Sequence, residues 1–161
     1  MSTRFIARGL ALCALAVLPE PGSRAAAPPE GQAASLIGRW LTDPPDGIIE
    51  ISLTPDGSYQ GRIIGGDNPY RIDSKNPDAS KRSARLLGQV IVQDLKYESL
   101  GHWSGSSIYD PDSGHTYSCH LELLEANKLK VRGYLGVSLL GRTQIWTRYT
   151  GTSLVLPKVA H

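Results

Sequence analysis

Apolar and polar positions alternate through most of the chain after its first 35 residues, and turn residues interrupt the alternation at intervals. Ile49, Ile51 and Leu53 share one strand face. The segment Thr54-Pro55-Asp56-Gly57 that follows reads as a turn, because proline presets φ and glycine accepts a positive φ. This period-two pattern predicts antiparallel strands joined by short turns.

Further runs of the same kind fill the rest of the chain. The candidate strands are a short one around Trp40, a returning strand at 59–63 after the turn, and longer ones at 89–95, 102–109, 116–124, 128–135 and 142–149. Residues 65–85 carry Gly, Pro, Asp, Asn and many charges without periodicity, which predicts a long surface loop. An antiparallel sheet of roughly eight strands must close or fold over to hide its edges. Tight connections favour an all-β fold, an up-and-down antiparallel β-barrel.

The N-terminal segment is of a different kind. Arg4 and Arg8 precede an apolar stretch at 9–18, and small residues follow, which is the layout of a secretory signal peptide with cleavage near Ala25. The apolar stretch is too short to span a bilayer as a stable helix. We therefore expect a periplasmic or secreted protein with no transmembrane segment in the mature chain. The expected organisation is a signal peptide at 1–25, a disordered leader at 26–35, a barrel domain at 36–150 and a C-terminal tail at 151–161.

Removal of the signal peptide changes the charge balance. It takes away three of the 17 basic residues and one of the 15 acidic residues, which leaves 14 of each. A mature chain near neutrality with no basic run argues against a nucleic-acid partner. Cys13 leaves with the signal, so Cys119 stays alone and no internal disulfide is expected. Cys119 alternates in phase with Tyr117 and Leu121, which predicts a buried position.

The two ends of the predicted barrel carry aromatic residues. Gly38 and Trp40 open the first strand, and Trp146 and Arg148 end the last. These strands are neighbours in a closed meander, so a late arginine, either Arg142 or Arg148, can cover the Trp40 indole and close one end of the barrel. The arrangement resembles the lipocalin-like or calycin pattern, in which a G-x-W segment meets an arginine late in the chain.

A closer resemblance rests on longer segments. They are Gly38-x-Trp40, Gly57-x-Tyr59-x-Gly61, Tyr109-Asp110-Pro111 with Gly114 and Tyr117, Leu129-x-Val131-Arg132-Gly133-Tyr134, Gly141-Arg142-Thr143-Gln144 and Trp146-Thr147-Arg148. Over about residues 36–149 the chain resembles the bacterial exported family called domain of unknown function 2147. The resemblance implies a lipocalin-like barrel and an envelope location, and no settled activity. Many members carry a cysteine pair in the loop before the fourth strand, which residues 71–81 of this chain lack.

The histidines do not predict a metal site. His115 and His120 have opposite parity on one strand and point to different faces. His115 and Cys119 share a face but are about 13 Å apart along the strand, too far to bind one ion. A cross-strand pairing of His102 with either histidine stays open. We expect no metal and no cofactor.

Catalytic patterns are also missing from the sequence. The serine-rich segment at 103–107 lacks the strand–turn–helix context of a nucleophile elbow. Asp110 and Asp112 flank Pro111 and precede Gly114, which indicates turn residues rather than a carboxylate pair. We therefore predict that the protein is not an enzyme.

Aromatic and polar residues of the strands suggest a ligand site instead. Eight strands enclose room for one small ligand or only for side chains. An apolar cup with a few polar groups is the usual small-ligand site, and an inward arginine favours an acidic head group such as a fatty-acid carboxylate. The candidates for lining or ordering this site are Trp40, Trp103, Tyr117, Arg132, Tyr134 and Arg142. Alternatively, the arginines face water or brace the closed end.

The sequence thus predicts an exported protein that binds a small apolar or acidic amphipathic ligand inside the barrel. The alternative is a non-catalytic envelope interaction module with a filled barrel, which contacts a protein or glycan through its outer face or the 65–85 loop. No pattern in the chain predicts an oligomeric state.

Overall fold

The computed structural model describes residues 31, 35–136 and 141–158. The predicted signal peptide, the cleavage point near Ala25 and nearly all of the predicted leader lie outside these residues. The strands are β1 (Gly38–Leu41), β2 (Gly47–Leu53), β3 (Tyr59–Gly66), β4 (Val90–Ser99), β5 (His102–Asp110), β6 (His115–Glu125), β7 (Lys128–Tyr134) and β8 (Gly141–Arg148). Among the described residues, no helix has the length and apolar character needed to cross a membrane.

Each strand pairs antiparallel with the next, and β1 pairs with β8, so the sheet closes into an eight-stranded barrel. The predicted up-and-down barrel is confirmed. The β1–β8 seam is short, with Trp40 opposite Arg148 and Leu41 opposite Thr147. By contrast, β7 and β8 pair along the whole of β7.

Strand β4 differs from its predicted bounds because it contains a bulge. Asp94 has a φ of 56°, and the register with β3 shifts from Val92 to Leu95. Val92 and Leu95 are therefore both buried although they lie three positions apart, an odd spacing that would place them on opposite faces of a regular strand. The bulge breaks the strict alternation on which the prediction for 89–95 rested, and the strand continues to Ser99.

Alternating connections place the turns at two ends of the barrel. We call the end that holds the β2–β3, β4–β5 and β6–β7 turns the floor, and the end that holds the β1–β2, β3–β4 and β5–β6 connections the mouth. The core fills the floor half, where the side chains of Trp40, Tyr59, Trp103 and Trp146 are at most 1% exposed.

The β3–β4 connection spans residues 67–89 and includes a 3-10 turn at Ala79–Lys81. The tail after β8 also has order: the Leu154 carbonyl accepts a hydrogen bond from Gly66 N (3.0 Å), and Leu156 N donates to Gly66 O (2.9 Å). A Cβ on Gly65 would collide with the Leu154 carbonyl oxygen. Glycine at 65 therefore lets the tail lie directly against the end of β3.

Candidate functional site

Aromatic side chains pack the floor of the barrel. The Trp103 ring meets Tyr59 edge-on at a centroid distance of 6.4 Å and Tyr97 at 5.4 Å. Large apolar side chains that pack in this way exclude water from the floor half. Trp40 and Trp103, two of the predicted ligand residues, belong to this packed floor.

Arg148 covers the outside of the floor. Its guanidinium carbon lies 3.9 Å from the centroid of the Trp40 ring, and Nη1 donates to the Ile37 carbonyl at 2.9 Å. The Trp40 indole N–H donates to the Leu36 carbonyl at 2.9 Å. A Cβ on Gly38 would sit 2.8 Å from the same guanidinium, so glycine at 38 leaves room for it. Burial lowers the pKa of Arg148.

Arg142 lies at the other end of β8 from Arg148, near the mouth of the barrel. In the β7–β8 register Arg142 stands opposite Gly133, Gln144 opposite Val131, and Trp146 opposite Leu129. Directly paired residues point to the same face of a sheet. Val131, Leu129 and Trp146 are buried in the core, so Arg142 and Gln144 belong to the inner face. The Trp146 indole donates to Gln144 Oε1 at 2.9 Å and fixes that amide.

Tyr117 lies on the same inner face. It stands opposite Ile108 across β5 and β6, and its hydroxyl is 3.3 Å from Ser113 Oγ at the rim. A Cβ on Gly133 would lie 3.6 Å from both Tyr117 and Ile108. Glycine at 133, opposite Arg142, therefore leaves free the volume that a side chain would fill beside Tyr117 and Ile108.

Arg132 and Tyr134 point away from this space, contrary to the expectation that they line the interior. Arg132 stands opposite His120 and Tyr134 opposite Ser118, on the face opposite to Val131. Arg132 Nη1 donates to Thr143 Oγ1 at 2.8 Å, and the Tyr134 ring is 5.8 Å from His120. Desolvation, and then the charge of Arg132, lowers the pKa of His120. These residues form a polar outer surface.

One buried donor lacks a partner. The indole Nε1 of Trp103 is buried and has no hydrogen-bond acceptor within the described part of the chain. Buried N–H groups are nearly always paired with protein or water. Trp103 is fully buried and packs against Tyr59 and Tyr97, so this donor lies inside the packed floor rather than on an open surface.

Asp73, which no sequence pattern singles out, anchors the 67–89 loop on the barrel wall. It is fully buried and accepts hydrogen bonds from the Tyr109 hydroxyl (2.6 Å) and Asn76 Nδ2 (2.6 Å). Burial and the bond to Asp73 raise the pKa of Tyr109 to about 12. Arg71 pairs with Asp112 of the β5–β6 turn. The loop is therefore anchored on β5 and on that turn.

The remaining candidate groups have local structural roles. Asp110 accepts bonds from the Asp112 amide (2.9 Å) and Ser113 Oγ (2.7 Å), which confirms its interpretation as a turn residue. Cys119 is buried and not in a disulfide. Within residues 31, 35–136 and 141–158, no group of three or more His, Cys, Asp or Glu side chains has metal-binding geometry.

A shallow depression of about 300 Å³ lies on the outer wall beside the β2–β3 turn. Its lining includes Asp56, Thr54 and Ser58, which hydrogen-bond to each other. Because these polar groups already satisfy one another, we favour the inner face as the ligand site.

Comparison with known proteins agrees with the barrel. Protein HP1028 from Helicobacter pylori, described as belonging to the lipocalin family, superposes with a TM-score of 0.65 at 19% identity, over 71% of this chain and 83% of that one. At this identity the likeness concerns the fold. No curated protein matches the chain. The sequence pattern of the uncharacterised bacterial proteins grouped as DUF2147 matches residues 38–148, and the chain belongs to that family.

Proposed function

We propose that the protein binds a small amphipathic molecule with an acidic head group in the mouth half of the barrel. One observation carries the proposal: inner-face side chains of this half stay open to solvent, whereas those of the floor are buried. Ile108, Tyr117 and Gln144 are partly exposed, and Arg142 is exposed.

The chemistry of these side chains defines the ligand class. Ile108, the Tyr117 ring and the space above Gly133 offer an apolar wall. None of the carboxylates in the described residues lies within ion-pair distance of Arg142. A guanidinium on an apolar wall favours a carboxylate, which it binds through two parallel hydrogen bonds. A fatty acid fits this combination.

The test compares two arginines of adjacent strands that face opposite ways. Long-chain fatty acids are titrated while tryptophan fluorescence is recorded, since three tryptophans line the floor. Arg142→Ala should weaken binding by about tenfold or more, because a charge-assisted bond is lost. Arg132→Ala, on the outer face, should bind as the wild type does. Equal affinity in both variants, or no fluorescence response at all, would contradict the proposal.

A second variant tests the space itself. Gly133→Leu places a side chain between Tyr117 and Ile108 and should abolish binding. Gly133→Ala adds only a Cβ at ordinary contact distance and should retain most of it. Circular dichroism of both variants separates blocked binding from a damaged barrel.

We also propose that the protein is exported to the periplasm or secreted. The charged start, apolar stretch and small residues before position 25 support this location. The intact mass of protein isolated from the cell envelope tests it. We expect the mass of a chain that starts near residue 26, and the mass of the full chain would contradict the proposal. A mass measured under native conditions on the same sample also reveals a co-purified ligand.

A further inference from the structure

Residues 70–73 and 84–87 of the β3–β4 loop form a small two-stranded ribbon. Ile72 pairs with Arg85, Asp73 N donates to Ala84 O at 2.9 Å, and Leu86 N donates to Arg71 O at 3.0 Å. Asp73 and Leu86 point inwards and are buried, at 0% and 4% exposure. The ribbon is therefore held in place, with one face on the barrel and one face outside.

The outer face of this ribbon is apolar. Tyr70 is 71% exposed, Ile72 46% and Leu87 42%. Apolar side chains are usually buried and charged ones exposed. The ribbon reverses this distribution, because it buries a carboxylate and exposes three large apolar side chains. Neighbouring exposed apolar side chains on a fixed frame mark an interaction surface.

Two cationic side chains lie beside these apolar ones, and a third belongs to the same loop. The Arg85 guanidinium lies 5.2 Å from the centroid of the Tyr70 ring, and Arg62 donates to the Gly88 carbonyl beside Leu87. Arg82 follows the 3-10 turn of the same loop and donates to the Asn76 carbonyl at 2.8 Å. Across the described part of the chain, no carboxylate forms an ion pair with any of these three arginines.

We propose that the outer face of the ribbon docks on an anionic lipid surface. Tyrosine and aliphatic side chains are stabilised at the boundary between head groups and acyl chains, and nearby arginines attract anionic lipids. A nucleic acid would leave Ile72 and Leu87 without an apolar partner. A second copy of the same face would bring like charges together. An anionic lipid surface offers an apolar partner to the exposed side chains and negative charge to the arginines.

This docking goes beyond the proposed function and does not depend on it. The ribbon packs at the mouth end of the barrel, against Tyr109 and the β5–β6 turn. Docking would therefore bring the mouth close to the lipid. Vesicle binding is measured without any fatty acid, so its failure is distinct from failure of the ligand titration.

The experiment is co-sedimentation of the protein with vesicles of equimolar phosphatidylglycerol and phosphatidylcholine, and with vesicles of phosphatidylcholine alone. The wild type should bind the anionic vesicles more tightly, and added salt should weaken the binding. Tyr70→Ser with Leu87→Ser should weaken partitioning by about tenfold or more. Arg85→Glu should weaken it by about tenfold.

Matched controls come from the floor end. Leu100→Ser with Leu124→Ser removes two exposed apolar side chains there, and Lys96→Glu reverses an exposed charge on β4. These variants should bind as the wild type does. The proposal is overturned if anionic vesicles do not bind the protein, if both vesicle types bind it equally, or if ribbon and floor variants behave alike. A ribbon variant that alters self-association in sedimentation velocity would also overturn it, in favour of a second copy.

Discussion

Arg148 combines a ring contact with several hydrogen bonds to the backbone. Its guanidinium stacks on Trp40 and donates to the carbonyls of Ser35, Ile37 and Ala126. These carbonyls belong to the segment before β1 and to the β6–β7 turn. One side chain thereby connects both ends of the strand meander, a task that needs a planar group with several donors.

Replacement of Arg148 by lysine tests this role. The ammonium retains the charge but cannot stack on the ring and donate to separate carbonyls at once. We expect Arg148→Lys to lower the free energy of unfolding by about 2 kcal/mol, from lost hydrogen bonds and the weaker ring contact. Urea denaturation gives the value. Arg142→Lys, on the exposed mouth, should change it by well under about 1 kcal/mol. Equal losses in the two variants would show that Arg148 has no special part in closure.

Among the elements, the 67–89 loop is notable because it is long and yet anchored. The buried Asp73 carboxylate depends on donors from Tyr109 and Asn76. A buried carboxylate that loses a donor is destabilised, because water does not replace the missing bond. The loop is therefore anchored to the barrel by a few polar contacts.

Tyr109→Phe should release this loop. Loss of the hydroxyl leaves Asp73 short of one donor and should lower the free energy of unfolding by about 1–3 kcal/mol. Because the loop contains Arg71, Lys75, Lys81, Arg82 and Arg85, limited trypsin digestion measures its release directly. Cleavage within 67–89 should become faster. Tyr70→Phe, which alters an exposed tyrosine of the same loop, serves as the control, and identical digestion of both variants would contradict the anchor.

The stability contributed by the Tyr109–Asp73 hydrogen bond depends on pH. The native pKa of Tyr109 is about 12, above the ordinary value of 10.0. The unfolded tyrosine thus loses its proton first as the pH rises, and unfolding becomes more favourable. The stabilising contribution is complete below pH about 10 and is lost between about 10 and 12. In Tyr109→Phe the urea midpoint should fall less steeply over this range than in the wild type.

At the scale of the whole molecule, the barrel was predictable because its signal is local and repeated. Alternation predicts each strand, turn residues separate the strands, and Gly38, Trp40, Trp146 and Arg148 mark the two ends that meet. The bulge at Asp94 was not predictable, since it interrupts the pattern on which the prediction depends.

The site was predictable only in part. Arg142 lies four residues before the buried Trp146 on β8, so both side chains point to the inner face. Leu129 and Val131 alternate on the inner face of β7, which assigns Arg132 to the opposite face. These signals were available in the sequence. No signal in the sequence indicates the burial of Asp73, because this burial arises when the loop packs on Tyr109, a contact between residues 36 positions apart.

Closure itself depends on a narrow seam. Only Trp40 and Leu41 of β1 pair with β8 in the described chain, opposite Arg148 and Thr147. A cross-link at this place would join residues that lie near the two ends of the folded sequence. In the unfolded chain it would close a loop of about a hundred residues and remove much of its entropy.

We therefore predict that Leu41→Cys with Thr147→Cys forms an intramolecular disulfide, in a Cys119→Ala background that avoids exchange with the buried thiol. Thr147 is exposed and Leu41 half-buried, so both sites tolerate cysteine better than the core does. The oxidised variant should gain about 4 kcal/mol over its own reduced form in urea denaturation, since only the unfolded state loses freedom. A cysteine pair at Thr147 and Leu100, at the floor turn between β4 and β5, should not cross-link. If the Leu41–Thr147 pair also stays reduced under oxidising conditions, β1 and β8 are not neighbours in solution, and the enclosed inner face on which ligand binding depends does not exist.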